Sequence, residues 1–139
     1  MTKVCMTIKN DPILVFSEEK SRFEIVNKNR RRIEVHQVDN CLITQGVRCD
    51  WLLIDSESGS ECFIELKGSD IKHAVAQLVA AVQQLSKRAG RRNGYIICAR
   101  NPLSTTEVQL LAKKLLKQYR ISLRVKRSTY KESIDGVMA

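Results

Sequence analysis

Aromatic side chains make up only 5% of this 139-residue chain. That scarcity argues against a stacking platform for single-stranded nucleic acid. The five cysteines, Cys5, Cys41, Cys49, Cys62 and Cys98, include no Cys-x-x-Cys pair, which argues against a structural zinc site. Their number is odd, and Cys49, Cys62 and Cys98 fall in predicted strands, where a thiol acts as a small core hydrophobe. All five are therefore expected to be reduced, as in a reducing cytoplasm. No apolar run is long enough to cross a bilayer, and no signal-peptide pattern or strongly basic amphipathic terminus is visible. The expectation is a soluble, cytoplasmic protein with no membrane partner. Internal repeats and low-complexity linkers are lacking too.

Positive charge is abundant. Lys and Arg total 24 against 15 acids, a net charge of +9 and a pI near 9.6, which suits a polyanionic partner. A hydrophobic content of 43% over this length fits a single globular domain over residues 1–139. Basic clusters stand at Arg30-Arg31-Arg32, at Arg88, Arg91 and Arg92, and from Lys113 to Arg127. Each alone reads as a solvated face. Together they would line a phosphate track whose affinity comes from counterion release and carries no base code.

The chemistry concentrates between Cys49 and Gly68, in CDWLLIDSESGSECFIELKG. Asp50 opens the apolar run Trp51-Leu52-Leu53-Ile54, short enough for a strand buried on both faces. DSESGS turns the chain, and Cys62 to Lys67 forms the next strand. Alternation puts Glu65 and Lys67 on one face and Cys62, Ile64 and Leu66 on the other. Phosphodiester hydrolysis needs a hard divalent cation, for which carboxylates from different strands are natural ligands. Asp50 and Glu65 would supply them, and the Lys67 ammonium would orient the nucleophile or stabilise the pentacovalent charge. Acid-x-Lys also occurs at Glu18-Glu19-Lys20 and Asp70-Ile71-Lys72, but only the middle copy has a strand context with a second acid one strand upstream. The bland alternative is a solvated cross-strand ion pair. The apolar residues bracketing Glu65 and Lys67 argue against it.

The order of a helical or extended segment, a strand, the Asp50 strand, the Glu65-x-Lys67 strand, a long helix and a strand resembles the PD-(D/E)xK nuclease superfamily. The likeness covers about residues 20–127, with Cys49 where that family usually has proline. The resemblance implies an α/β, restriction-endonuclease-like mixed central sheet flanked by helices. It also implies Mg2+-dependent cleavage of nucleic acid, with Mn2+ as a substitute. DNA is the expected substrate, and a homodimer is expected because two sites are needed to cut both strands.

Beyond that motif, Gly68-Ser69-Asp70 caps a helix over about Ile71–Lys87 with a core stripe of Ile71, Ala74, Val75, Leu78, Val82 and Leu85. On its other stripe Gln77 is a catalytic candidate, since in several nuclease families a glutamine of this helix approaches the metal; the alternative is a solvated amide. His73 reads chiefly as a surface histidine. A strand Tyr95–Ala99, a helix opened by the capping box Ser104-Thr105-Thr106-Glu107, and a strand Ile121–Val125 follow. Residues 128–139 are expected to form a flexible tail. In the first third, Ser17–Asn27 is a helix or, from Phe23, the first arm of a hairpin. A third metal-side acid is expected from Asp39 first, then Glu34, or Glu24 if that segment is helical.

Overall fold

Among the described residues the apolar alternation resolves into nine strands and three helices: β1 (Met6–Lys9), β2 (Ile13–Glu18), β3 (Ser21–Val26), β4 (Ile33–Gln37), β5 (Trp51–Asp55), β6 (Glu61–Lys67), α1 (Ile71–Leu85), β7 (Arg92–Cys98), α2 (Thr105–Tyr119), β8 (Ile121–Arg127), β9 (Thr129–Ser133) and α3 (Ile134–Val137). This computed structural model describes residues 4–46, 48–67, 70–87, 90–101 and 103–139, Lys67 by its backbone alone. Arg88, Gly68 and Ser69 therefore lie outside the described residues, as does the Lys67 side chain.

Six strands form a mixed sheet in the order β1-β4-β5-β6-β7-β8, and β2-β3-β9 form a second sheet. Strands β1, β4, β5 and β6 pair antiparallel, joined between β5 and β6 by a short turn in which buried Asp55 accepts from the Glu57 amide at 2.9 Å. Strands β6, β7 and β8 are parallel. Parallel neighbours need crossovers, and α1 and α2 supply them. The α1 cap is as expected, with Asp70 Oδ1 accepting from the His73 amide at 3.0 Å. The Ser104–Glu107 capping box opens α2.

Each face of the central sheet carries its own core. On one, Leu52, Phe63, Ile96 and Cys98 meet Ala74, Leu78 and Val82 of α1 and Leu115 of α2. On the other, Leu53, Cys62, Ile64, Leu66, Tyr95 and Ile97 meet Leu14, Phe16, Phe23 and Ile25 of the second sheet. Cys62, Ile64 and Leu66 thus share one face, as alternation predicts. At Gly94 of β7 an added Cβ would lie 3.1 Å from Ile121 Cγ2 and 3.4 Å from Leu78 Cδ1, so a side chain there would crowd Ile121 of β8 first.

The segment Ser17–Asn27 is neither a helix nor the first arm of a hairpin: β3 starts at Ser21 and is the second arm, antiparallel to β2, with Glu19 of the turn in the left-handed region at φ 51°. Two further expectations need correction. Residues 128–139 are not a flexible tail: β9 pairs in parallel with β3, and Ile134, Val137 and Met138 are buried. The polar alternation of Thr129–Ser133 hides the strand because only one face of it is covered. Nor are all five cysteines reduced. Cys5 and Cys41 form a disulfide, while Cys49, Cys62 and Cys98 are free and buried. Pairing of β1 with β4 brings the two together, a proximity that spacing cannot reveal.

Strand direction gives the molecule two distinct edges. At the carboxyl edge lie the ends of β4, β6, β7 and β8, the start of β5, and the β2–β3 turn, tied there by the Arg22 amide donating to the Ser128 carbonyl at 2.8 Å. At the opposite edge lie Asp55, the β3–β4 loop and the start of β7.

Deleting residues 134–139 removes three buried apolar side chains, worth together about 5 kcal/mol. That is comparable with the whole stability of a small domain, so the truncated chain should be unfolded by circular dichroism. A truncated form with the parent's melting temperature would contradict the docked position. Separately, a bridge spanning 36 residues stabilises by about 3–4 kcal/mol on loop entropy. Urea unfolding with and without dithiothreitol should show a loss of that order, and Cys41→Ser should erase the difference.

Candidate functional site

Residues Trp51 and Ile64 are paired across β5 and β6. One step further, at the carboxyl edge, the same register puts Asp50 opposite Glu65 on the α1 face. Their carboxyl groups come within hydrogen-bonding reach of each other. Asp50 Oδ2 also accepts from the Leu66 amide at 2.8 Å, which fixes its rotamer against the end of β6. Glu65 is 1% exposed, so a solvated ion pair does not describe it. Its burial follows from Phe63 and Ile96 beside it and from α1 above.

Burial pushes the Asp50 carboxyl up to about 6, with further upward pressure from Glu18 and Asp39, while the Leu66 amide and Glu65 pull the other way. Cys49 is buried next to the pair, and burial first, then the negative charges of Glu65 and Asp50, raises its thiol well above the usual range. It is a neutral packing residue.

Gln77 of α1 faces this corner. Its Nε2 donates to the Arg48 carbonyl at 2.9 Å, holding the segment that leads into Asp50. Its Oε1 is buried with no hydrogen-bond partner among the described residues. The solvated-amide alternative for Gln77 is therefore set aside. A buried amide oxygen of this kind is rare in a folded interior and can accept a further hydrogen bond or a cation.

The three candidates for a further acid separate clearly. Asp39 lies beside Asp50, with the Val38 amide donating to the Asp50 carbonyl at 3.0 Å, but its carboxylate accepts from Arg48 Nε at 2.6 Å. Glu34 pairs with His36 at 3.1 Å and stands opposite Ile54, toward the other end of β5. Glu24 is in the second sheet, paired with Arg22 at 3.0 Å. Among the described residues no group of three or more His, Cys, Asp or Glu side chains is arranged to hold a metal ion. Sequence reasoning missed Arg48, which is bonded to Asp39 Oδ1, Asn40 Oδ1 and the Gly46 carbonyl and fastens the loop before Asp50. It missed Glu18 as well, because only the hairpin brings that charge to Asp50.

The arginine clusters lie elsewhere. Arg30, Arg31 and Arg32 belong to the β3–β4 loop, and Arg91 and Arg92 to the start of β7, so both sets occupy the edge opposite the carboxylate pair. Arg31 is committed to Asp55 at 3.1 Å and Asp135 at 2.6 Å. Arg92 donates to Ser86 Oγ and the Tyr119 carbonyl, both at 2.8 Å, and joins the ends of both long helices. Arg30, Arg32 and Arg91 are exposed, and so is His73 at the start of α1.

The folded protein holds the Asp50 proton up to about pH 6, whereas an unfolded chain releases it near pH 4. Ionised Asp50 thus destabilises the fold above that value, and the cost fades as pH falls from about 6 toward 4. Asp50→Asn keeps an acceptor for the Leu66 amide and removes the charge. Scanning fluorimetry should show the variant melting several degrees higher than the parent at pH 7.5, with the gap closing by about pH 4. A variant that melts lower at pH 7.5 would contradict the carboxylate's unfavourable burial.

No protein family, no curated protein and no solved structure matches this chain. The geometry around Asp50 and Glu65 therefore carries the functional reading.

Proposed function

We propose that this chain is a Mg2+-dependent nuclease of the restriction-endonuclease-like type, hydrolysing phosphodiester bonds of DNA. One observation carries the reading: the carboxyl groups of Asp50 and Glu65, from neighbouring strands, meet on one face at a sheet end, where they would repel if both were ionised. A pair of acids held in contact with the proton of one retained to about pH 6 suits a divalent cation, which would replace that proton and remove the repulsion. The order of β4, β5 and β6 as an antiparallel meander, with α1 crossing to a parallel β7, agrees with the resemblance to the PD-(D/E)xK superfamily.

The donor set fits a hard ion. Asp50 and Glu65 would hold it through carboxylate oxygens, with the carbonyl of Gln77 as a further oxygen on the same face. Bound Mg2+ or Mn2+ supplies polarisation of the phosphoryl oxygens and a water of lowered pKa. The chain's own residues do the rest. The Leu66 amide keeps Asp50 aimed, and Gln77 and Arg48 brace the segment that leads into it. Lys67, two residues after Glu65, is assigned to orient the nucleophile and balance the developing charge. A homodimer would bring two such sites to the two strands of a duplex.

A second reading, a non-catalytic nucleic-acid-binding or defence-regulating module, draws on one observation. Asp39 is engaged by Arg48 and leaves two acids, not three, at the site.

Incubation of supercoiled and linear DNA with Mg2+ or Mn2+ decides between them. The parent should nick or cut, and Glu65→Gln or Lys67→Ala should slow cleavage by roughly 100-fold or more while duplex binding stays nearly unchanged. Cleavage by Glu65→Gln at the parental rate would remove the carboxylate pair from the chemistry. Tight binding by the parent with no cleavage in either metal would favour the second reading.

A further inference from the structure

We infer that nucleic acid bound at the Asp50–Glu65 pair runs across the carboxyl ends of β7 and β8, with Arg127 and Arg100 contacting its phosphates, and not across the arginine-rich loops that dominate the sequence. This rests on the nuclease reading and specifies how its substrate lies.

Charge decides one side. Glu18, at the end of β2, and Asp39, beside Asp50, are acids on that side, and the cation Arg48 there is taken up by Asp39. A phosphate backbone leaving toward β4 and the hairpin would meet acids. Toward β7 and β8 the register continues from Glu65 to Ile96 to Val125, and from Lys67 to Cys98 to Arg127. Val125 packs against the α1 and α2 core, the face that Glu65 shares, and Arg127 is two residues on in the same alternation. Two strand spacings and two residue rises put the Arg127 backbone about 12 Å from that of Glu65. Since phosphates of one strand step about 3.4 Å along the duplex axis, this spans only a few nucleotides.

The strand end bearing Arg127 is well fixed. The Ser128 amide donates to the Cys98 carbonyl at 2.8 Å, and the Cys98 thiol to the Lys126 carbonyl at 3.2 Å. Arg127 and Arg100 are both exposed, and neither makes an ion pair among the described residues. Exposed Lys72, in the first turn of α1, adds a cation at the same edge. The sequence-prominent arginines lack this combination. Arg31 and Arg92 are bonded internally. Arg92 starts β7 four residues before Ile96, the partner of Glu65, and is about 13 Å down the strand. Arg30 and Arg32 lie past the far end of β5.

The test is duplex binding by fluorescence anisotropy in Ca2+ over a range of salt, with full-length protein. The double variant Arg100→Glu/Arg127→Glu should weaken binding by about 10-fold or more and flatten the log-log salt slope by about 2, since each phosphate contact contributes about 0.9. Arg30→Glu/Arg32→Glu and Arg91→Glu, at the opposite edge, should change affinity less than about 2-fold at moderate salt. In cleavage assays Arg127→Gln should raise KM more than it lowers kcat. Thermal melts matching the parent establish that the variants fold, and the milder Gln substitutions replace any that do not. The proposed path is overturned if the opposite-edge variants weaken binding more than the double variant does, or if the double variant binds like the parent. Binding is read without cleavage, so this result stands apart from that of Glu65→Gln, which tests the nuclease reading itself.

Discussion

Bringing two carboxyl groups into contact at the end of a buried strand pair is unfavourable, and much of this fold is arranged to hold them there. Backbone pairing of β5 with β6 is the constraint on which the arrangement depends. Slipping that register by one residue would turn Asp50 away from Glu65 and would also send Leu52 and Phe63 out of the α1 core. The apolar alternation that stabilises the sheet therefore holds Asp50 where burial opposes its charge. Unfavourable local geometry of this kind persists only where surrounding packing over-determines it, and it is often found where function requires it.

The central strands were legible because both faces are apolar and the turn between them is polar. Asp50 at a strand mouth and Glu65 on a defined face follow from alternation alone, as does the α1 stripe that buries Ala74 and Leu78. Less was legible wherever partners come from distant segments. The Cys5–Cys41 bridge depends on β1 lying beside β4, and β9 depends on a parallel partner more than a hundred residues earlier. The third-acid candidates were ranked by position at strand ends, but Asp39 is drawn to Arg48, a partner nine residues away across a loop. Clustering in sequence does not give position in the fold: Arg30–Arg32 and Arg91–Arg92 read as one basic surface with Asp50 and Glu65, but strand direction puts them at the opposite edge.

The polarity of the molecule follows from those strand directions. Acids gather at the carboxyl edge on the β4 and hairpin side, and free cations at the same edge on the β7 and β8 side. The opposite edge uses its arginines as internal fasteners, Arg31 between Asp55 and Asp135 and Arg92 between the two long helices. A net charge of +9 thus conceals a division of labour. Part of it is exposed at the carboxyl edge, as at Arg100 and Arg127, and part is spent inside the fold.

The pairing of β3 with β9 bears on how the chain folds. Residues 21–26 find their parallel neighbour at 129–133, so the second sheet closes only after more than a hundred further residues are available. Until then one face of the central sheet, with Leu53, Ile64 and Tyr95, lacks α3 and the β9 strand that complete its cover. Non-local strand pairing slows folding, and transiently exposed apolar sheet surface invites aggregation. Residues 21–26 thus wait for residues 129–133 before that sheet is complete.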